Sequence, residues 1–474
     1  MSKQAVLAID LGGSNGRAIL GRYDNGKLSL QEIRRFENAP FALGAGHYWN
    51  IIHLYNEIVS SLADCKALGV SPASVAIDSW SQDFGLLNAE GNLLGLPHTY
   101  RDRRTQKVTE LVPLLLNRDE VFEITGMRPE NYSTLYQMAY MAQYEPRTLE
   151  QAATMQYIPN LLSYFMTGEF SCDYTTPSIS GIMNIRAQEW SKKIARTLGI
   201  QDILPELRDS GAVIGVTTEA VCRCTGLPKT KVILTGCHDT ACAITALPVG
   251  LDENVLFISS GTWSMFGYTC NKPLLDFQVM ESGYSNMLIN NGRNALLKGV
   301  PGMFIIQQCL REWQRAGIRV TYDSLESCQD AFDENAWFAV DEANEAVESM
   351  LSHLDGLLKK RGVRKPQSPG EYYHIVLNSM AHKYAAEIAL AEKMLGREIA
   401  KIHLIGGGAR AQKLNARIAE LTGKKIIIGP YEATAVGNLI TQLIALGELS
   451  GDEEAKRMVA RSFDIVDNFG NRVM

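Results

Sequence analysis

Two adjacent residues, His238 and Asp239, follow the apolar run Lys231–Thr235 and stand where a helix begins. A carboxylate at a helix start is held ionised by the partial positive charge there. If it points into a cleft, it can take the proton from a hydroxyl that attacks a phosphoryl group. The plainer use of an Asp at this place is as a helix cap. Three glycine turns carry a different chemistry. Asp10 precedes Gly12-Gly-Ser-Asn-Gly16, whose freed N–H groups can cradle phosphate oxygens that only small residues let approach. A carboxylate beside phosphates implies a cation between them, so Asp10 points to Mg²⁺ held through water. Ser259-Ser-Gly-Thr-Trp263 offers a hydroxyl and N–H groups to a terminal phosphate, although Ser and Thr in turns also bond their own backbone. Gly406-Gly-Gly408 offers bare backbone to a flat ligand such as adenine, with Pro430 and the Glu432–Asn438 run as a pocket wall. Asp78-Ser-Trp-Ser-Gln-Asp-Phe84 places carboxylates, an amide and an indole at a strand end, a set suited to vicinal sugar hydroxyls and a sugar ring. A core Trp at an ordinary strand end is the alternative.

The elements that must position these groups alternate between strand and helix. Ala5–Ile9 and Arg17–Tyr23 flank the first glycine turn as a hairpin, and Asn254–Ile258 with Trp263–Tyr268 repeats that device. Two such hairpins, one opening each half, predict a duplicated architecture. Further strands are expected at Ser74–Asp78, Lys231–Thr235 and Ile402–Ile405. Helices are expected at Tyr55–Lys66, Thr134–Tyr144, Pro159–Met166, Met303–Ala316, Glu371–Leu395, Lys413–Leu421 and Ala433–Leu446. That alternation reads as α/β with a central sheet in each half. The break at Pro248-Val-Gly250 divides the chain into residues 1–247 and 248–474. The stretch Arg361–Gly370 reads as the least ordered, and the last two dozen residues carry no assigned role.

Composition narrows the class. The chain has 474 residues, 46% apolar and 21% charged, with a formal net charge of −6. This balance argues against a nucleic-acid protein with a basic face. No apolar run approaches the ~18–20 residues that span a bilayer, and Asp10 interrupts what a signal peptide needs. The nine cysteines contain no CxxC pair, and Cys222-x-Cys224 is too isolated to hold zinc, so reduced thiols and a cytoplasmic location are expected.

The motifs quoted above, with Tyr100-Arg-Asp-Arg-Arg-Thr105, Thr134-Leu-Tyr-Gln137 and Gly236–Ala241, come in the order seen in the FGGY carbohydrate kinases. Within that family the chain most resembles the rhamnulokinases, over about residues 5 to 450. The resemblance implies two actin-like (ribonuclease H-like) domains with a catalytic cleft between them. It also implies transfer of the γ-phosphate of Mg-ATP to the 1-hydroxyl of a ketose, L-rhamnulose first, with L-fuculose, D-xylulose or L-ribulose as the alternatives. Asp239 then matches the general base and His238 a substrate contact, while Ser81, Gln82, Asp83 and Gly299 fall at sugar-binding positions. Gly13, Ser14, Asn15, Gly16 and Arg17 match the first phosphate loop and Thr262 the second; Gln307 with Gly407 or Gly408 matches the nucleotide pocket. Asp10 matches the magnesium-associated carboxylate. The sequence departs from the rhamnulokinase pattern at Ser81-Gln82, where Gly-Val is usual, and at Gly299, where an Asn is expected. Ala411, beside Gln412, replaces an Asn near the adenine loop. Partners are a ketose and ATP, with no nucleic acid or membrane, in a monomer or homodimer. An actin-like ATPase lacks a reason for the sugar-type strand end before His238-Asp239, and a sugar-sensing repressor needs a helix-turn-helix ahead of the first strand.

Overall fold

Val, Ile, Leu and Ala crowd the first strand, and such a run belongs in a sheet covered on both faces. In the computed structural model, which describes residues 4–248, 255–329, 333–343 and 347–473, it is β1 (Gln4–Leu11), with Val6–Leu11 all buried. β1 continues through Asp10 instead of ending there, because Asp10 and Leu11 pair with Arg17 and Gly16 of β2 (Asn15–Asp24). β3 (Lys27–Glu37) completes a meander, and β4 (Ser74–Ser79) lies parallel to β1 on its other side. β5 (Val213–Val216) and β6 (Lys231–Ile233) finish a six-stranded sheet in the order β5-β6-β4-β1-β2-β3.

The chain forms two compact units, and each is built from separate stretches. The first comprises Met1–Gly250, Cys270–Leu296 and Ala433–Ser462; the second comprises Leu251–Thr269, Leu297–Glu432 and Phe463–Met474. Of the expected break at Pro248-Val-Gly250, Val249 and Gly250 lie outside the described residues, as does Asn254 of the second hairpin. In the first unit, Leu7, Ile9, Leu54, Ile58, Val75 and Leu161 share one core between the sheet and the helices Ile51–Ala67 and Ile158–Thr167. A second core gathers Phe84, Leu135, Met138, Met155 and Ile194 around the helix Thr134–Tyr144.

The second unit repeats the plan. β7 (Val255–Ser260) and β8 (Trp263–Cys270) form an antiparallel hairpin. β10 (Lys401–Ile405) runs parallel to β7, β11 (Lys425–Ile428) runs parallel to β10, and β12 (Val466–Asp467) is antiparallel at the edge. β9 (Asn294–Pro301) neighbours β8. Both hairpins thus lie in a sheet whose first strand has a parallel partner on its free side, and the expected duplication holds. The final residues, left without a role above, form the helix Asp452–Ser462 and β12.

The helix Ala433–Ala445 belongs to the first unit, although the chain reaches it through the second. It is seated by buried amides. Asn438 Nδ2 donates to Ala76 O at 3.2 Å and to Asp78 Oδ2 at 2.6 Å. Gln442 Nε2 donates to Leu7 O at 3.0 Å, and Ser74 Oγ donates to Gln442 Oε1 at 2.7 Å. These buried amide hydrogen bonds fix one register of helix on sheet. Of the Glu432–Asn438 run, Ala433 and Ala435–Asn438 are buried, in a helix that packs on β1, β4 and the helix after His238, while Glu432 and Thr434 are half-buried.

Candidate active site

β6 leads through residues 234–238 into the helix Asp239–Thr245, whose N-cap is His238. Asp239 is thus the first helical residue, one place past the cap. Its Oδ1 accepts from the Thr240 N–H at 2.6 Å and from Thr240 Oγ1 at 3.1 Å. His238 Nδ1 caps the helix by accepting from the Thr240 N–H at 3.2 Å, and it lies 2.7 Å from the same Asp239 oxygen. Oδ2 of Asp239 has no partner among the described residues, and the side chain is 33% exposed. One carboxylate oxygen is held by the two donors of Thr240 beside His238 and the other is open, which is the geometry of a positioned proton acceptor.

What holds the junction was not legible in the sequence. Ser79 N–H donates to Cys237 O at 2.9 Å, tying the end of β4 to the turn. Asp173, fully buried, accepts from the N–H groups of Cys237 at 3.0 Å and Thr175 at 2.8 Å, and Thr175 Oγ1 accepts from the His238 N–H at 3.1 Å. Burial raises the Asp173 pKa, against the pull of these donors. A single Asp within an ordinary polar stretch carries no pattern that announces this work.

Asp10 is buried and forms an ion pair with Arg17, the residue opposite it on β2. On the other side its register partner is Asp78 of β4. Asp78 is fully buried, its Oδ2 takes the Asn438 amide, and its Oδ1 has no hydrogen-bond partner among the described residues. Burial, and then the neighbouring Asp10 charge, push the Asp78 pKa well above the usual carboxylate range. Asp78 is therefore an interior residue, in contrast to the sugar-facing place expected for it. Gly16 is glycine for space, since a Cβ there would run into the Phe36 ring. Ser14 and Asn15 are exposed at the turn, and Gly12 N–H closes it onto Asn15 O at 2.9 Å.

At the strand end after β4, Asp83 is 1% exposed. Its Oδ2 accepts from the indoles of Trp49 at 2.6 Å and Trp80 at 2.9 Å, and its Oδ1 accepts from Gln137 Nε2 at 2.9 Å. Burial raises its pKa to about 6, against those donors and the Tyr100 N–H. Gln82 has φ 81°, a left-handed conformation that costs a non-glycine residue on the order of 1–3 kcal/mol. It is pinned by donation to Ile179 O at 2.9 Å and by acceptance from the Thr134 N–H at 3.1 Å. Gln82 and Asp83 are thus locked inside, and Ser81, half-buried between Trp80 and the strained Gln82, is the polar group of this turn nearest to solvent.

In the second unit Thr262 and Gln307 come together, Gln307 Nε2 lying 3.3 Å from Thr262 Oγ1. The helix Phe304–Arg315 starts directly on the glycine turn, with Phe304 N–H donating to Thr262 O at 3.1 Å. Gly406 has φ 83° and packs on Ser260 O, and a Cβ on Gly408 would strike the Ser260 hydroxyl. The two glycine turns of this unit are therefore neighbours. Beside them the Arg410 guanidinium lies 4.1 Å from the Tyr431 ring centroid, a flat pair that no sequence pattern flagged. Gly299 is exposed on β9, and a Cβ there would lie 3.5 Å from Met265 Sδ.

Residues 5–246 match the N-terminal domain of the FGGY family of carbohydrate kinases, and residues 256–446 match its C-terminal domain. The chain belongs to the FGGY family and has that family's two-domain actin-like fold, so it is an ATP-dependent sugar kinase that phosphorylates an alcohol group. It is 31% identical over 474 residues to a rhamnulokinase of Bacteroides thetaiotaomicron, covering 98% of this chain and 95% of that one. It is 30% identical over 465 residues to a rhamnulokinase of Bacillus subtilis, covering 97% and 94%. Among solved structures, a ligand-bound xylulose kinase from Lactobacillus acidophilus superposes with a TM-score of 0.78 at 15% identity, covering 96% of this chain and 92% of that one. Plasmodium falciparum glycerol kinase with ADP gives 0.78 at 14% identity, covering 98% and 94%. The chain is similar to these last two in fold.

Proposed function

We propose that this kinase transfers the γ-phosphate of ATP to the 1-hydroxyl of L-rhamnulose, with Asp239 as general base. The observation that carries this reading is the Asp239 carboxylate, with Oδ1 held by Thr240 beside His238 and Oδ2 open. As the sugar oxygen bonds to the γ-phosphorus, Oδ2 takes the hydroxyl proton and ADP leaves with the electrons of the broken P–O bond. His238 caps the helix and meets the sugar from its remaining ring nitrogen. Gly13–Arg17 of the first unit, and Thr262, Gln307, Gly407 and Gly408 of the second, serve the nucleotide. Asp83 and Gln82 serve the sugar by fixing Trp80 and Ser81 in place.

Mg²⁺ fits the donors present. Asp10 supplies a hard carboxylate oxygen at the mouth of a glycine turn. No group of three or more His, Cys, Asp or Glu side chains among the described residues is placed to hold a metal. That combination suits an ion bound mainly by phosphates and water, with one carboxylate nearby. When bound, the ion neutralises phosphate charge.

The choice of L-rhamnulose rests on the curated relatives, and Ser81 and Gly299 are where this chain departs from the rhamnulokinase pattern. We propose that the Ser81 hydroxyl takes over a sugar oxygen left without the usual amide. ADP release measured against L-rhamnulose, L-fuculose, D-xylulose and L-ribulose, with a no-sugar control, tests both points. The expected result is sugar-dependent turnover led by L-rhamnulose, falling on the order of 10²-fold or more in kcat with Asp239→Asn. ADP release without sugar, or Asp239→Asn keeping more than about a tenth of kcat, overturns the mechanism. Another ketose ahead by about tenfold in kcat/KM overturns the substrate.

A further inference from the structure

Four arginines stand near the first glycine turn and its flank, and they are used differently. Arg17 is paired with Asp10. Arg104 is held inside, its Nη2 donating to Gln137 Oε1 at 3.0 Å and its guanidinium 5.4 Å from the Tyr140 ring centroid. Arg103 is exposed at the start of a short 3₁₀ turn. Arg101 lies against the glycine turn itself: a Cβ built on Gly13 would be 3.3 Å from Arg101 Nη2 and 3.6 Å from Tyr100 Oη.

Arg101 is also oriented. Its Nε donates to Tyr100 Oη at 3.1 Å, and its guanidinium carbon lies 5.2 Å from the Tyr100 ring centroid. The Tyr100 ring meets Tyr132 edge-on at 6.3 Å. The side chain is exposed, and no carboxylate among the described residues pairs with it. A guanidinium fixed at Nε keeps its two Nη groups as a planar fork, the shape that grips phosphate oxygens bidentately. Here the fork borders the bare backbone of Gly13, where any side chain would crowd it.

We propose that Arg101 clamps the terminal phosphate of the nucleotide at the Gly12–Gly16 turn and stays with the phosphoryl group during transfer. The inference rests on the phosphoryl-transfer reading above. In the step the sugar oxygen forms its bond to the γ-phosphorus, the bond to the β–γ bridging oxygen breaks, and ADP keeps that electron pair. The hydroxyl proton goes to Asp239. Arg101 exchanges no proton; its N–H groups meet the charge on the phosphoryl oxygens.

Titration of the parent and Arg101→Ala with the Mg²⁺ complex of β,γ-imido-ATP and with Mg-ADP, without sugar, tests the clamp independently of turnover. The analogue is expected to bind roughly tenfold or more weakly to the variant, as the loss of a charged hydrogen bond implies, while ADP binding is unchanged. In the sugar-dependent assay kcat is expected to fall about 10²–10³-fold at unchanged Tm, with partial rescue by guanidinium ion and none by methylammonium. Arg101→Lys should lie between the two, keeping charge without the fork. Equal weakening of both nucleotides, no weakening of either, or a kcat within about threefold of the parent overturns the proposal. If the parent turns over none of the ketoses, the sugar reading fails while the titration still decides the role of Arg101.

Discussion

His98 shows how far a residue's chemistry depends on what surrounds it. Burial, and then the charge of Arg104, lower its pKa to about 4, against the pull of Asp102. At neutral pH its 3.1 Å contact with Asp102 is therefore a hydrogen bond from a neutral imidazole. A group with a lowered pKa contributes stability above its unfolded value, near 6.5, and loses it as pH falls toward the folded value. His98 should add about 3 kcal/mol across that window. Denaturant unfolding of the parent and His98→Gln from pH 7.5 to 4 checks this, and the stability gap between them should close as the solution is acidified. A gap that stays constant with pH would show that His98 titrates normally. The sequence carried much of the local setting: Asp239 opens the helix expected for it, and Thr262 and the glycine triplet lie on turns, whereas Asp10 and Asn15–Arg17 belong to the paired strands β1 and β2. It did not carry Asp173 or the Asp10–Asp78 register, because partners brought together by folding leave no spacing to read.

At the scale of elements, the placement of Asp239 depends on how its helix packs. Gly437 faces that helix so closely that a Cβ on it would run into the backbone carbonyl of Cys242. Backbone cannot yield as a long side chain can, so Gly437→Ala should cost about 1–3 kcal/mol or more. It should also lower kcat through a displaced carboxylate. Gly356 makes the contrast. It lies exposed in the helix Met350–Lys360 with nothing near its missing Cβ, so Gly356→Ala should add about 0.5–1 kcal/mol. Urea titration of both variants decides it, and equal effects would refute the packing argument. Helix spans such as Thr134–Tyr144 were legible because their apolar spacing is local. The face each helix buries was less so: nothing in the spacing of Ala433–Ala445 says that Asn438 and Gln442 seat it on β1 and β4.

For the whole molecule, the first unit needs chain from beyond residue 432. Without the Ala433–Ala445 helix, Asp78 and Ser74 lose their amide partners and Leu7 O loses a donor. Buried polar groups left unpaired cost about 1–3 kcal/mol each, on top of the apolar surface uncovered. A fragment of residues 1–248 is therefore expected to lack near-UV circular dichroism and cooperative unfolding. A fragment that melts sharply with a native near-UV spectrum would refute this. Among the described residues no helix is long and apolar enough to cross a membrane.

By itself the sequence determined the α/β class, the duplicated hairpin plan, the family and the glycine turns proposed to carry the chemistry. Each of these is written in local patterns, apolar runs, glycine clusters and motif order, that survive without knowledge of the fold. Only the tertiary structure decided which groups are open and which are spent. It buried Asp78 and Asp83 behind amides and indoles, strained Gln82, left one oxygen of Asp239 unengaged and set Arg101 against Gly13. Those outcomes depend on residues far apart in the chain competing for the same donors, acceptors and space, and that competition exists only once the chain is folded.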